Sequence, residues 1–192
     1  MRLKNIKIGF AITGSFCTFS EILPIIQQMI DEGAEVFPVI SEKVDSTDTR
    51  FGTSADFKMK LKSITEKKLI ASIVDAEPIG PKSLFDVVIV APCTGNTLAK
   101  IANGITDSTV TMACKAQLRN QKPIVLAIST NDGLSANAEN IGVVLNRKNV
   151  YMVPFGQDDP LNKQTSLVAD YTRIIPTILA AMEGKQIEPL LV

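Results

Sequence analysis

Two short stretches of this 192-residue chain gather residue types that could do chemistry: TGSFCTFSE (13–21), after the apolar run IKIGFAI, and APCTGNTLAKIANGITDS (91–108), at the end of the apolar run FDVVIVA. Each reads as a strand that stops at a small polar loop and turns into a helix. In an open α/β sheet, such loops lie beyond the carboxyl ends of the strands, where ligands bind. In the first loop Gly14 allows close backbone approach, and Thr13, Ser15 and Thr18 supply hydroxyls. A helix start adds free N–H groups and a partial positive charge. Together these suit a phosphate; the plain alternative is a capped turn.

The kind of phosphate is narrowed by absent motifs. The sequence has neither GxGxxG nor GxxxxGK[ST], so a dinucleotide fingerprint and a P-loop are excluded. A monophosphate such as that of FMN fits better than a triphosphate. In the second loop Thr94, Asn96 and Thr97 surround Gly95, and such an amide and hydroxyls can read the heteroatoms of a flat ring. A capped helix start is again the plain alternative.

The chain contains no histidine. That removes the usual base near neutral pH, the usual triad partner and the commonest metal ligand. Proton chemistry must then use carboxylates, Cys, Lys or Tyr, or a cofactor. The three cysteines, Cys17, Cys93 and Cys114, form no CxxC pair. They point away from a disulfide framework or zinc site and toward a reducing cytosol, and no metal site is expected. Lys+Arg and Asp+Glu each total 20, so no basic surplus invites nucleic acid. No apolar run approaches membrane-spanning length, and the N-terminus lacks the long apolar core of a signal peptide.

Positioning these loops requires alternating strands and helices. Apolar runs predict strands at 6–12, 34–40, 69–74, 85–91, 123–129 and 149–155. Runs apolar throughout are buried on both faces, as in a parallel sheet. Helices are expected from about Thr18, where Thr18 and Glu21 have capping-box spacing, to a stop at Gly33, and over 54–64, 95–103, 108–120, 135–147 and 163–183. The polar stretch 41–54, headed by Ser41, reads as a surface loop. The pattern predicts one α/β domain over 1–192.

Pro92-Cys93-Thr94-Gly95-Asn96-Thr97, followed by Lys100, Gly104 and Asp107, resembles the Pro-Ala-Ser-Ala-Asn-Thr and Gly-x-x-Asp motifs of the homo-oligomeric flavin-containing cysteine decarboxylase superfamily. Thr13-Gly14-Ser15 resembles its first βα loop. The resemblance implies a Rossmann-like three-layer sandwich with a doubly wound parallel sheet. It also implies FMN as cofactor, held by Thr13, Gly14, Ser15, Ser41, Thr94, Asn96, Thr97 and Asp107, and a trimer-based homo-oligomer.

Departures from the superfamily narrow the activity. Where its decarboxylases carry histidine this chain has Pro78, and the clamp motif Pro-x-Met-Asn resembles Ser129-Thr130-Asn131-Asp132, keeping only Asn131. AEPIGPK, ISTNDGLSANAENIG and VPFGQDDP resemble a branch that acts in sporulation. That branch implies an oxidoreductase subunit supporting oxidation of a dihydropyridine dicarboxylate to the aromatic dicarboxylate. It also implies a partner subunit carrying the nicotinamide site for NADP. Asn131 is then the candidate for a substrate carboxylate, with Ser129, Thr130 and Ser135 as further donors. Asp107, Asp132, Glu77 and Cys93 are the candidates for the base, and none is assigned as catalytic. Two alternatives stay open: an FMN-dependent decarboxylase and a non-catalytic scaffold subunit.

Overall fold

The apolar runs become strands because they can be buried on both faces. In the computed structural model, which describes residues 1–192, β3 (Val87–Cys93) is buried at every residue. Beside it lie β1 (Lys7–Ile12), β2 (Glu35–Ile40) and β4 (Ile124–Thr130). Three short strands follow: β5 (Val150–Met152), β6 (Phe155–Gly156) and β7 (Leu167–Ala169). The sheet order is β2-β1-β3-β4-β7-β6, with β5 also paired to β4. The first five strands pair in parallel, while β7 runs antiparallel to both β4 and β6. The architecture is thus the expected Rossmann-like α/β sheet, mostly parallel but with an antiparallel extension that the sequence did not announce.

Helices cover the sheet: α1 (Phe19–Asp31), α2 (Glu42–Ser46), α3 (Ser54–Thr65), α4 (Ile73–Ala76), α5 (Gly95–Asn103), α6 (Thr109–Arg119), α7 (Ala138–Leu145) and α8 (Ile174–Met182). On α1, Ile22, Ile26 and Met29 are buried, one face at helical spacing. α5 ends where Gly104 takes the left-handed conformation, φ 69°. No helix is long and apolar enough to cross a membrane.

Five expectations fail for identifiable reasons, the first being the loop expected over 41–54, where Ser41 caps the short helix α2 and Val44 is buried. The run 69–74 gives only a bridge between Ile70 and Val39. Ser72 caps the next turn, accepting from Asp75 N at 3.1 Å, so the chain enters α4. The expected helix 163–183 begins only at Ile174, because Leu167–Ala169 is taken into the sheet. β5 pairs with β4 only up to Leu126, leaving the edge at Ser129 and Thr130 for β7. The expected strand 149–155 is split between β5 and β6 by Val153 and Pro154. Thr18 forms no capping box: its hydroxyl donates to the Ser15 carbonyl at 2.8 Å, inside a 3-10 turn at Phe16–Thr18 that precedes α1.

The segment after α8 fastens the antiparallel extension. Gln186 accepts from Met152 N at 2.8 Å and donates to Met152 O at 2.7 Å. Phe155 N donates to Leu190 O at 3.0 Å and Val192 N to Phe155 O at 3.1 Å. Deleting residues 186–192 should lower the thermal midpoint by about 5–10 °C, at roughly 0.5–1.5 kcal/mol for each lost bond. An unchanged midpoint in a circular-dichroism melt would show that the segment holds nothing.

Candidate functional site

The carboxyl ends of β1, β3 and β4 open on a cavity of about 690 Å3. Each strand delivers a polar loop to it because the apolar run ends there and the freed backbone must find partners. β1 delivers Gly14 and Ser15, β3 delivers Thr94 and Gly95, and β4 delivers Ser129, Thr130 and Asn131. Phe16 and Phe51 also line an adjoining apolar cleft of about 130 Å3, walled by Phe19, Leu23 and Phe57.

The loops are fixed to one another. Thr13 is 2% exposed. Its hydroxyl donates to Pro92 O at 2.7 Å and accepts from Thr94 N at 3.0 Å. Thr94 in turn donates to Thr97 Oγ1 at 3.2 Å. Ser15 Oγ and Ser129 Oγ stand 2.9 Å apart and share a hydrogen bond. Of the residues expected at the cofactor, Gly14, Ser15 and Thr94 line the cavity, with Thr13 and Thr97 holding them from behind. Asn131 is also on the wall. Three others are not. Asn96 is exposed. Ser41 accepts from Val44 N at 3.4 Å as the cap of α2. Asp107 pairs with Lys100 at 2.9 Å.

Among the candidate bases, Cys93 is fully buried, and burial, then the neighbouring Cys114, push its thiol far above the usual range. It keeps its proton. Glu77 is exposed and off the cavity. Asp132 is held as a carboxylate: the Thr130 hydroxyl, and then the Asn137 amide, lower its pKa against partial burial. Asn137 Nδ2 lies 2.9 Å from both of its oxygens. A carboxylate so satisfied is a weak base.

This acid explains Gly95. A Cβ at Gly95 would overlap Thr130 Oγ1 and stand 2.5 Å from Asn137 Nδ2 and 2.8 Å from Asp132 Oδ1. The first residue of α5 therefore packs directly on the Thr130–Asp132–Asn137 cluster. The chain places its own anion beside that helix start, where a negative charge is favoured.

Sequence reasoning did not find the charged rim formed by Glu21, Asp158 and Lys163. Lys163 Nζ lies 2.7 Å from Asp158, and that hydrogen bond lowers the acid's pKa and raises the amine's. Asp158 and Lys163 come from the loop that joins β6 to β7. The available signal was the unusual polarity of VPFGQDDP, but nothing local says that it folds back over β4.

The family model described as Flavoprotein matches residues 1–182. The B subunit of dipicolinate synthase from Bacillus subtilis (strain 168) is 47% identical over 190 residues, 99% of this chain and 95% of that protein. The crystal structure of the corresponding B subunit from Bacillus halodurans superposes with TM-score 0.92 at 46% identity, covering 100% of this chain and 98% of that one. The FMN-dependent cysteine decarboxylase SpaF shares the fold, with TM-score 0.64 at 18% identity over 93% of this chain and 97% of that one.

Two outcomes test the acid cluster. Gly95→Ala should destabilise the protein by about 1–3 kcal/mol, as overpacking does. Asp132→Asn should cost about 1–3 kcal/mol near pH 6, read from denaturant unfolding. Because the folded pKa lies below the ordinary 3.8, the stabilisation is complete above about pH 4 and lost as the pH falls through the folded value. The gap between wild type and Asp132→Asn should therefore narrow below about pH 4; a constant gap would disprove the role.

Proposed function

Since the chain belongs to the flavoprotein family, and within it groups with the dipicolinate synthase B subunits, we propose that it supports oxidation of dihydrodipicolinate to dipicolinate with an NADP-binding dipicolinate synthase A subunit during sporulation. The observation that carries this reading is the cavity's position at the joined ends of β1, β3 and β4, lined mainly by uncharged donors. A homo-oligomer and a cytoplasmic location belong to the same proposal.

The residues fit a flavin. A cavity of about 690 Å3 lies within the roughly 300–1,000 Å3 of small-molecule sites. Gly14, Ser15 and Thr94 would face the phosphate, and Phe16 and Phe51 would flank the flat apolar ring beside their cleft. A bound flavin would supply a two-electron acceptor. The chain's own residues do the rest. Asn131 offers amide donors to carboxylate oxygens, and Lys163 offers the one positive charge on the wall. Of the rim carboxylates, Glu21 is the one that would receive a proton leaving the substrate, since Lys163 holds Asp158 ionised. Asp132 and Cys93 do not serve, since one is held ionised by its donors and the other is held protonated by burial.

The protein mixed with the A subunit should oxidise dihydrodipicolinate faster than the A subunit alone, followed as dipicolinate absorbance. It should also retain FMN through gel filtration, and Ser15→Ala should weaken that retention about tenfold, the worth of one hydrogen bond to a charged group. A full rate from the A subunit alone would remove the catalytic part of the reading. Carbon dioxide release by the lone protein would favour the decarboxylase alternative.

A further inference from the structure

Behind the cavity wall sits a polar group with no partner. Tyr171, one of two tyrosines, is 5% exposed. Its phenol oxygen is buried and meets no partner in full hydrogen-bonding geometry, although the hydroxyls of Thr18 and Ser129 are near enough to lower its pKa against the effect of burial. A buried hydroxyl left unpaired costs free energy, and its place beside a cavity wall calls for an explanation. We propose that Tyr171 directs a hydroxyl chain, Tyr171 to Ser129 to Ser15, so that Ser15 presents its proton to an anionic oxygen in the cavity. Tyr171 is a positioning residue in this scheme, and the inference rests on the cavity being the ligand site.

The direction follows from proton bookkeeping. Burial pushes the phenol pKa up to about 12, so at neutral pH Tyr171 holds its proton and can give it only in a hydrogen bond. Thr18 already spends its own proton on the Ser15 carbonyl, at 2.8 Å. Ser15 and Ser129 are 2.9 Å apart and either can donate. Alone, that pair has no preferred polarity. When Tyr171 donates to Ser129, the Ser129 proton turns to Ser15, and the Ser15 proton turns to the cavity. Hydroxyls so aligned polarise one another and hold the outer donor in place. The ligand chemistry is an oxyanion, carboxylate or phosphate. If Tyr171 donates to Thr18 instead, the serine pair stays undirected and the phenol has no influence on binding.

Tyr171→Phe, Ser129→Ala, Ser15→Ala and the Ser15→Ala/Tyr171→Phe double variant should be titrated by calorimetry with two probes. Pyridine-2,6-dicarboxylate tests a carboxylate, and FMN tests a phosphate. Tyr171→Phe and Ser129→Ala should each weaken the same probe about fivefold. Tyr171→Phe should add nothing once Ser15 is Ala, because its effect passes through that hydroxyl. The free Tyr171→Phe protein should melt no lower than wild type, since it loses an unsatisfied group; a merely structural tyrosine would lower the midpoint. Binding that Ser15→Ala weakens and Tyr171→Phe leaves intact overturns the hydroxyl chain but not the cavity. Fully additive effects overturn it likewise. Failure of wild-type protein to bind either probe overturns both readings.

Discussion

At the carboxyl edge of the sheet, one buried hydroxyl joins two strands whose backbones have stopped pairing. Thr13 donates to Pro92 O and accepts from Thr94 N, just past Ile12 at the end of β1 and across the irregular register of β3 between Val90 and Cys93. A buried backbone carbonyl and N–H cannot be left unmet, so this side chain completes what the ladder cannot. It fixes the spacing of the β1 and β3 loops. That spacing decides where Gly14, Ser15 and Thr94 stand, and hence the width of the cavity.

Around this anchor the site handles charge by supplying its own. The Asp132 carboxylate, satisfied by Thr130 and Asn137, sits against the start of α5 and requires glycine at position 95. Neutral donors line most of the remaining wall, and the charged groups Glu21, Asp158 and Lys163 stand among them. An exposed pair such as Lys163–Asp158 contributes little to stability. Its place on the cavity puts the one ammonium of the wall within that pair.

The antiparallel extension explains how distant segments reach this wall. β5 leaves the far part of β4 unpaired, β7 fills that edge, and β6 joins β7 to the segment after α8. The β6–β7 connection therefore carries Asp158, Lys163 and Ser166 to the side of Ser129, and the residues following β7 bring Tyr171 beneath it. Residues 29 to 42 positions apart in the sequence meet here because a sheet edge had to be covered.

Much of the fold was legible in the chain itself. Short β-branched runs such as FDVVIVA and PIVLAIS read as strands buried on both faces, and they supply most of β3 and β4; α5 fell at 95–103 because a polar start and Gly104 bracket it. The βα loops of β1 and β3 were legible as cavity loops for the same reason: small residues and hydroxyls at strand ends are local signals. Where local signals competed, Ser72 and its Asp75 partner outweighed the β-branched residues of 69–74. Tertiary structure alone decided the rest. Leu167–Ala169 became a strand because β4 offered an unpaired edge, and Asp132 was removed from the bases because Thr130 and Asn137 surround it. Spacing along a chain records local hydrogen bonding and burial. It does not record which partner a side chain meets across the sheet, and pKa, charge pairing and the orientation of a hydroxyl all depend on that partner.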